Sequence, residues 1–252
     1  DMASTLTVAG NVSIDGGTIK LDGNFPTGTD NVALGNNTLN GSISGAGNIA
    51  IGDSVGSAIT SGANAVAIGR DALAGIYTGG DAIAIGRSAL AALTSGNNNT
   101  AIGGLALTAN TTGASNTAVG KSALAANTTA ANNTAVGKNA LAANTTGTQN
   151  TAVGSSSLDA ITTGGLLTTG NSNVAMGYNA LSSDTLGDRA VAIGLGALAS
   201  QNFTSSTDNY NIGVGFNAGL SVTTGTNNTL IGGLAGDALT TGNSNVAVGY
   251  DS

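Results

Sequence analysis

Few side chains here carry chemistry, and where they fall matters more than what they are. The chain has no His, Cys, Trp or Glu, and its thirteen acids are all Asp. Nucleophilic and acid–base catalysis draw on His, Cys, Lys or paired carboxylates. The Asp residues are scattered and no pair recurs at a fixed position, so a polysaccharide depolymerase built on paired Asp is a remote reading. Gly79-Gly80-Asp81 faintly resembles a calcium-binding turn, but that Asp does not repeat and forms no ligand ladder. No catalytic residue, cofactor or metal site is therefore assigned. Four cations do share a position: Arg70, Arg87, Lys121 and Lys138 each follow a Gly that closes a short apolar triplet, and later copies of that position hold Tyr178, Phe216 and Tyr250. A line of cations suits anionic surface glycans, and exposed rings suit sugar stacking. The plainer reading is a solvated turn column whose rings cover a subunit seam.

The element that positions these residues is a repeat. A triplet ending in Gly occurs thirteen times, closing at Gly35, Gly52, Gly69, Gly86, Gly103, Gly120, Gly137, Gly154, Gly177, Gly194, Gly215, Gly232 and Gly249. Ten of the twelve intervals are 17 residues, and the other two are 23 and 21. A short fixed period is the signature of a solenoid, each repeat adding one coil. The expected fold is all-β: a parallel β-solenoid over residues 31–252, preceded by a strand-rich lead-in over residues 1–30 that includes Thr5–Gly23.

Positions are counted from each closing Gly. Three before it stands a β-branched residue in every copy, and one before it Leu, Ile, Val or Met; the residue between is Ala in eleven copies. Strand side chains alternate between faces, so the branched residues share one face and Ala takes the other. Both faces are apolar, and both are expected to be covered. The Ala column is a flat small-residue stripe, expected to lie at a seam between sister chains. Asn precedes the triplet in ten copies, from Asn31 to Asn245, and stacked coils would let these amides bond along the rod. After the Gly, pairs such as Ala123-Leu124 read as a second short strand. Thr128-Thr129 and a Gly ten after the closing Gly in most coils read as a second turn, with the Gly in a left-handed conformation. The Thr pairs also raise an ice-binding reading, weakened because they flank a turn.

Composition removes other classes. Only 8% of residues are charged, unlike a disordered polyelectrolyte. A net charge of −7 argues against a nucleic-acid partner. No apolar run reaches the ~20 residues of a membrane span, so no membrane insertion is expected. The two long intervals enlarge the coils at 155–172, with Leu166 and Leu167, and at 199–211, with Phe203 and Tyr210. Insertions in solenoids form loops on binding faces, so these four residues join the four cations as candidate receptor contacts.

The repeats resemble the head domain of YadA-like trimeric autotransporter adhesins, through Asn173-Val174-Ala175-Met176-Gly177, Asn245-Val246-Ala247-Val248-Gly249 and Asn48-Ile49-Ala50-Ile51-Gly52. The form Asn132-Asn133-Thr134-Ala135-Val136-Gly137 resembles repeats in tail-fibre and virion appendage proteins of marine bacteriophages. The likeness covers Asn31 to Ser252. It implies a left-handed β-roll assembled as a homotrimer, with a host glycan or protein receptor and other virion or anchor proteins as partners. The expected role is a non-enzymatic structural and host-binding segment of a virion tail fibre. The alternative is the head of a bacterial adhesin at the cell surface. The last coil stops before its second half, so the chain is expected to be an excerpt of a longer fibre.

Overall fold

The computed structural model describes residues 30–40, 43–159 and 170–252. The lead-in Thr5–Gly23 lies outside them, as do Leu166 and Leu167. Thirteen three-residue strands, from Val32–Leu34 to Val246–Val248, form one parallel sheet, each strand pairing with its counterpart one coil away. Like stacks on like: Thr117 pairs with Thr134, Ala118 with Ala135 and Val119 with Val136. The expected parallel β-solenoid with 17-residue coils is the observed fold, and no helix occurs among the described residues.

Each strand stops because its Gly leaves the region open to other residues. Gly120 has φ 135°, and a methyl group there would sit 2.6 Å from the Gly137 carbonyl carbon one coil on. Only Gly meets both demands.

The expected second strand is not formed: Ala123-Leu124 and its equivalents lie in turns. Ser122 at φ 58° and Leu124 at φ 51° are both left-handed, and the pattern recurs in coil after coil. A strand would send Ala123 and Leu124 to opposite faces. The alternating handedness curls the chain so that both are buried. A left-handed Leu costs about 1–3 kcal/mol of backbone strain. Burying its side chain returns about 1.5–3 kcal/mol. Three coils avoid the strain with Gly56, Gly219 and Gly236 at the same place.

The Gly ten after the closing Gly also differs from expectation. Gly113 has no left-handed φ; the left-handed residue is two further on, as at Asn132 with φ 62°. Gly113 is there for space, because a methyl group would strike the Ala130 carbonyl oxygen of the next coil.

The main correction concerns inside and outside. Ala50, Ala67, Ala84, Ala101, Ala118, Ala135, Ala152, Ala175 and Ala192 are buried within the chain itself, against the inward Ala-Leu pairs. The Ala column is thus the interior of the roll and not a seam between chains. The coil is thin, and opposite the inward Leu the strand wall has room for a methyl group; Leu230, the one larger residue in the column, fits beside Gly219 and Gly236. The branched residues face outward instead: Ile102 is 38% and Ile193 37% exposed.

The buried Asn residues fasten the corners. The Asn133 backbone N–H donates to Asn116 Oδ1 at 3.0 Å, and Asn116 Nδ2 donates to the Ala130 carbonyl, three residues earlier in that same next coil, at 2.8 Å. The same pair of bonds occurs at Asn48, Asn133, Asn150, Asn173 and Asn228, so the amides mainly serve backbone groups. Each satisfies a buried backbone donor and acceptor that the turn geometry leaves without a ladder partner.

Adjacent residues of one strand should report this polarity. Ala135→Leu overpacks the interior and is expected to cost about 1–3 kcal/mol in chemical denaturation. Thr134→Val, outward on the same strand at a position that holds Val in other coils, is expected to stay within about 0.5 kcal/mol. Equal losses at both sites would contradict the inward Ala column.

Candidate functional site

The surface with the most distinctive chemistry is the outer face of the sheet and the corner beside it. Outward residues three and one before each Gly form two columns along all thirteen strands. Their middle section is Thr100, Thr117, Thr134 and Thr151 beside Ile102, Val119, Val136 and Val153. From Val174 onward the same columns hold Val174, Met176, Val191, Ile193, Ile212 and Val214, and the face becomes almost wholly apolar.

Past the Gly bend, the following residue stands at the corner as a third column. The sequence-derived cations all lie there and all are exposed. Their backbones are tied in line: Ser88 N–H donates to the Arg70 carbonyl, Leu105 to Arg87, Ser122 to Gly104, Asn139 to Lys121 and Ser156 to Lys138, at 2.9–3.0 Å. Arg70 Nε lies 3.7 Å from Asp71 Oδ2. Among the described residues, Arg87, Lys121 and Lys138 join no ion pair within 4.0 Å. Further along the column, Tyr178, Leu195 and Phe216 are exposed, Phe216 at 53%.

The enlarged coil at 199–211 divides its two candidates. Phe203 is only 5% exposed, so it is part of the roll and not an outward contact. Tyr210 is 50% exposed and carries the Arg189 guanidinium 5.7 Å from its ring centroid. Arg189 also pairs with Asp208, completing a small surface cluster that sequence reading missed. Its signal was the left-handed position before the Asn, which holds Arg189 and Tyr210 where other coils mostly have Asn or Ser.

Nor is this insertion a free loop. Thr207–Asp208 pairs in parallel with Gly187–Asp188, and buried Asn209 accepts the Asn211 backbone N–H at 2.9 Å. Ala190 has no amide to offer at the preceding ladder position, and the inserted Asn209 supplies the oxygen.

Seven residues past the Gly, the interior changes along the rod: Ile59 and Leu93, then Asn110, Asn127 and Asn144, then Asp184 and Gln201, then Val222. Asp184 accepts from the Gly187 N–H at 3.0 Å and from Gln201 Nε2 at 2.7 Å. Burial raises its pKa, against the opposing pull of those hydrogen bonds. Burial also pushes the Asp159 carboxyl up to about 6. Among the described residues no three metal-ligating side chains come together.

The chain matches no protein-family model, no curated protein and no solved structure. Its class follows from its own geometry, which is that of a repeat β-solenoid with an exposed, chemically graded outer face.

The two buried acids predict a pH dependence. A carboxyl whose pKa is raised on folding contributes most stability below its unfolded value, near 4, and that contribution is lost as pH rises through the folded value, about 6 for Asp159. The melting temperature should therefore fall as pH rises from about 4 to just above 6. Asp159→Asn with Asp184→Asn should flatten the profile, the second restoring the residue type found at 110, 127 and 144. An unchanged slope in a thermal melt would refute the assignment.

Proposed function

We propose that this chain is a rod segment of a fibrous virion appendage of the tail-fibre kind, assembled as a homotrimer through the outer sheet face and displaying its corners and turns to a host surface. One observation carries the reading: the column one before each Gly is apolar in all thirteen parallel strands and the column three before it in eight, and these side chains stand exposed or half-buried along the whole sheet. At ~4.8 Å per strand the strip is about 60 Å long. Two columns and their margins amount to on the order of 600 Å² of face, at the upper end of what a monomer leaves bare. Parallel sheets are as a rule covered on both sides. The interior Ala wall covers one side, and a sister chain's identical strip supplies the other.

A second copy is favoured as the cover because the strip is as long as the described sheet and repeats at the coil spacing. Sister chains aligned along the rod match that spacing throughout. The resemblance of Asn132–Gly137 to virion fibre repeats favours the appendage. The adhesin-head reading uses the same seam and differs only in what anchors the rod.

Two substitutions test the seam. Val136→Asp with Ile193→Asp places charges on the strip without touching the interior. The wild type is expected to sediment as a trimer, and the double variant as a monomer that keeps its β-sheet circular dichroism. A wild type that stays monomeric at micromolar concentration would overturn the proposal.

A further inference from the structure

Four of the six cations in a chain of net charge −7 stand in one corner column. Backbone hydrogen bonds hold Arg70, Arg87, Gly104, Lys121 and Lys138 in unbroken succession. At ~4.8 Å per coil, four positive charges lie along about 19 Å in a line one side chain wide. Stacking like charges so closely is unfavourable in the free chain. Only Arg70 has a carboxylate within 4.0 Å among the described residues. The fold does not require the line, since the same corner accepts Ser155, Tyr178 or Leu195 in other coils.

Gly104 adds a second observation. Its backbone is outside the left-handed region, and a methyl group there would meet nothing closer than the Arg87 carbonyl oxygen at 3.9 Å. Neither strain nor crowding explains a Gly at this position. Its effect is to leave an open step between Arg87 and Lys121.

We infer that this column is a docking groove for a linear anionic polysaccharide laid along the rod, its carboxylate or sulfate groups meeting Arg70, Arg87, Lys121 and Lys138 and its backbone crossing the open step at Gly104. Charge alone would also suit a nucleic acid, but among the described residues the corner column holds no aromatic side chain between Arg70 and Lys138 to stack a base. Rings enter only further along the same column, at Tyr178, Phe216 and Tyr250, in alternate coils. Exposed rings in that setting suit the apolar faces of sugars in the continuing polymer. One edge of the Tyr250 ring lies beside Gly233, its Cδ2 3.3 Å from where a methyl group would be. The column sits past the Gly bend and outside the proposed seam, so it remains available in an assembled rod.

The inference rests on the reading of the rod as a display device, and separate measurements test the two. Heparin, polygalacturonate, neutral dextran and single-stranded DNA are each titrated into the full chain at low salt. The wild type is expected to bind at least one of the two anionic polysaccharides, to ignore dextran, and to lose affinity as salt rises. Arg87→Gln, Lys121→Gln and Lys138→Gln together should weaken binding about tenfold, three exposed charge contacts being removed at once. Gly104→Lys, which fills the step with a fifth cation, should tighten it. Lys121→Arg with Lys138→Arg should bind as wild type, which guards against a general loss of folding. Sedimentation of each variant should be unchanged, which separates this test from that of the seam. The inference is overturned by equal binding in the triple variant, by no gain with Gly104→Lys, by tighter binding to DNA, or by a change in oligomeric state showing that the cations belong to the seam.

Discussion

The buried asparagine that precedes most of the strands is the interaction on which the rest of the roll depends. A 17-residue coil has three residues of strand and fourteen of turn, so most of its backbone lies outside the sheet. Left-handed Ser122 and Asn132 send their N–H groups to the preceding coil and Leu124 sends its own to the following one, which leaves the Asn133 N–H and the Ala130 carbonyl to a side chain. The Asn116 amide reaches the next coil twice, taking the Asn133 N–H through Oδ1 and giving to the Ala130 carbonyl through Nδ2. It therefore fixes the rise between coils at the corner. Buried polar groups of this kind cost stability unless every one is paired, and here the pairing partners are backbone groups present in every repeat.

Thickness then dictates composition. Opposite Leu124 and its equivalents the strand wall has room only for Ala118 and its like, and a larger side chain enters where the opposing residue is Gly, as Leu230 does beside Gly219 and Gly236. With methyl groups inside, the larger branched residues have only the outer face to occupy. That inversion produces the apolar strip on which assembly is proposed. The corner column follows from the same geometry, because a Gly at φ 135° ends each strand and turns the next residue out of the sheet.

Where the repeat falters, the structure compensates locally. Ala190 lacks the ladder amide, and the four-residue enlargement places Asn209 where its Oδ1 receives the Asn211 N–H. Asp184 and Gln201 replace the inner Asn column and bond to one another and to Asn211. These exchanges keep buried polar groups paired across irregular coils. They also place a carboxyl of raised pKa inside the rod.

Much was legible in the residues. The period, the strand positions, the like-on-like register and the corner column all follow from a repeat in which each position stacks on itself. Parity offered one further clue: Asn133 and Ala135 lie two apart and share a strand face, so a buried amide there puts the alanine inside as well. The tertiary structure alone decided which way the coil closes. That choice rests on left-handed Leu124 and its equivalents, a conformation Leu rarely adopts and no sequence pattern announces. Curvature buried Ala123 and Leu124 together, turned the branched face to solvent and drew Phe203 into the roll while leaving Tyr210 outside. Stacking is a property of neighbouring repeats and can be read along the chain; facing depends on how fourteen turn residues bend through space.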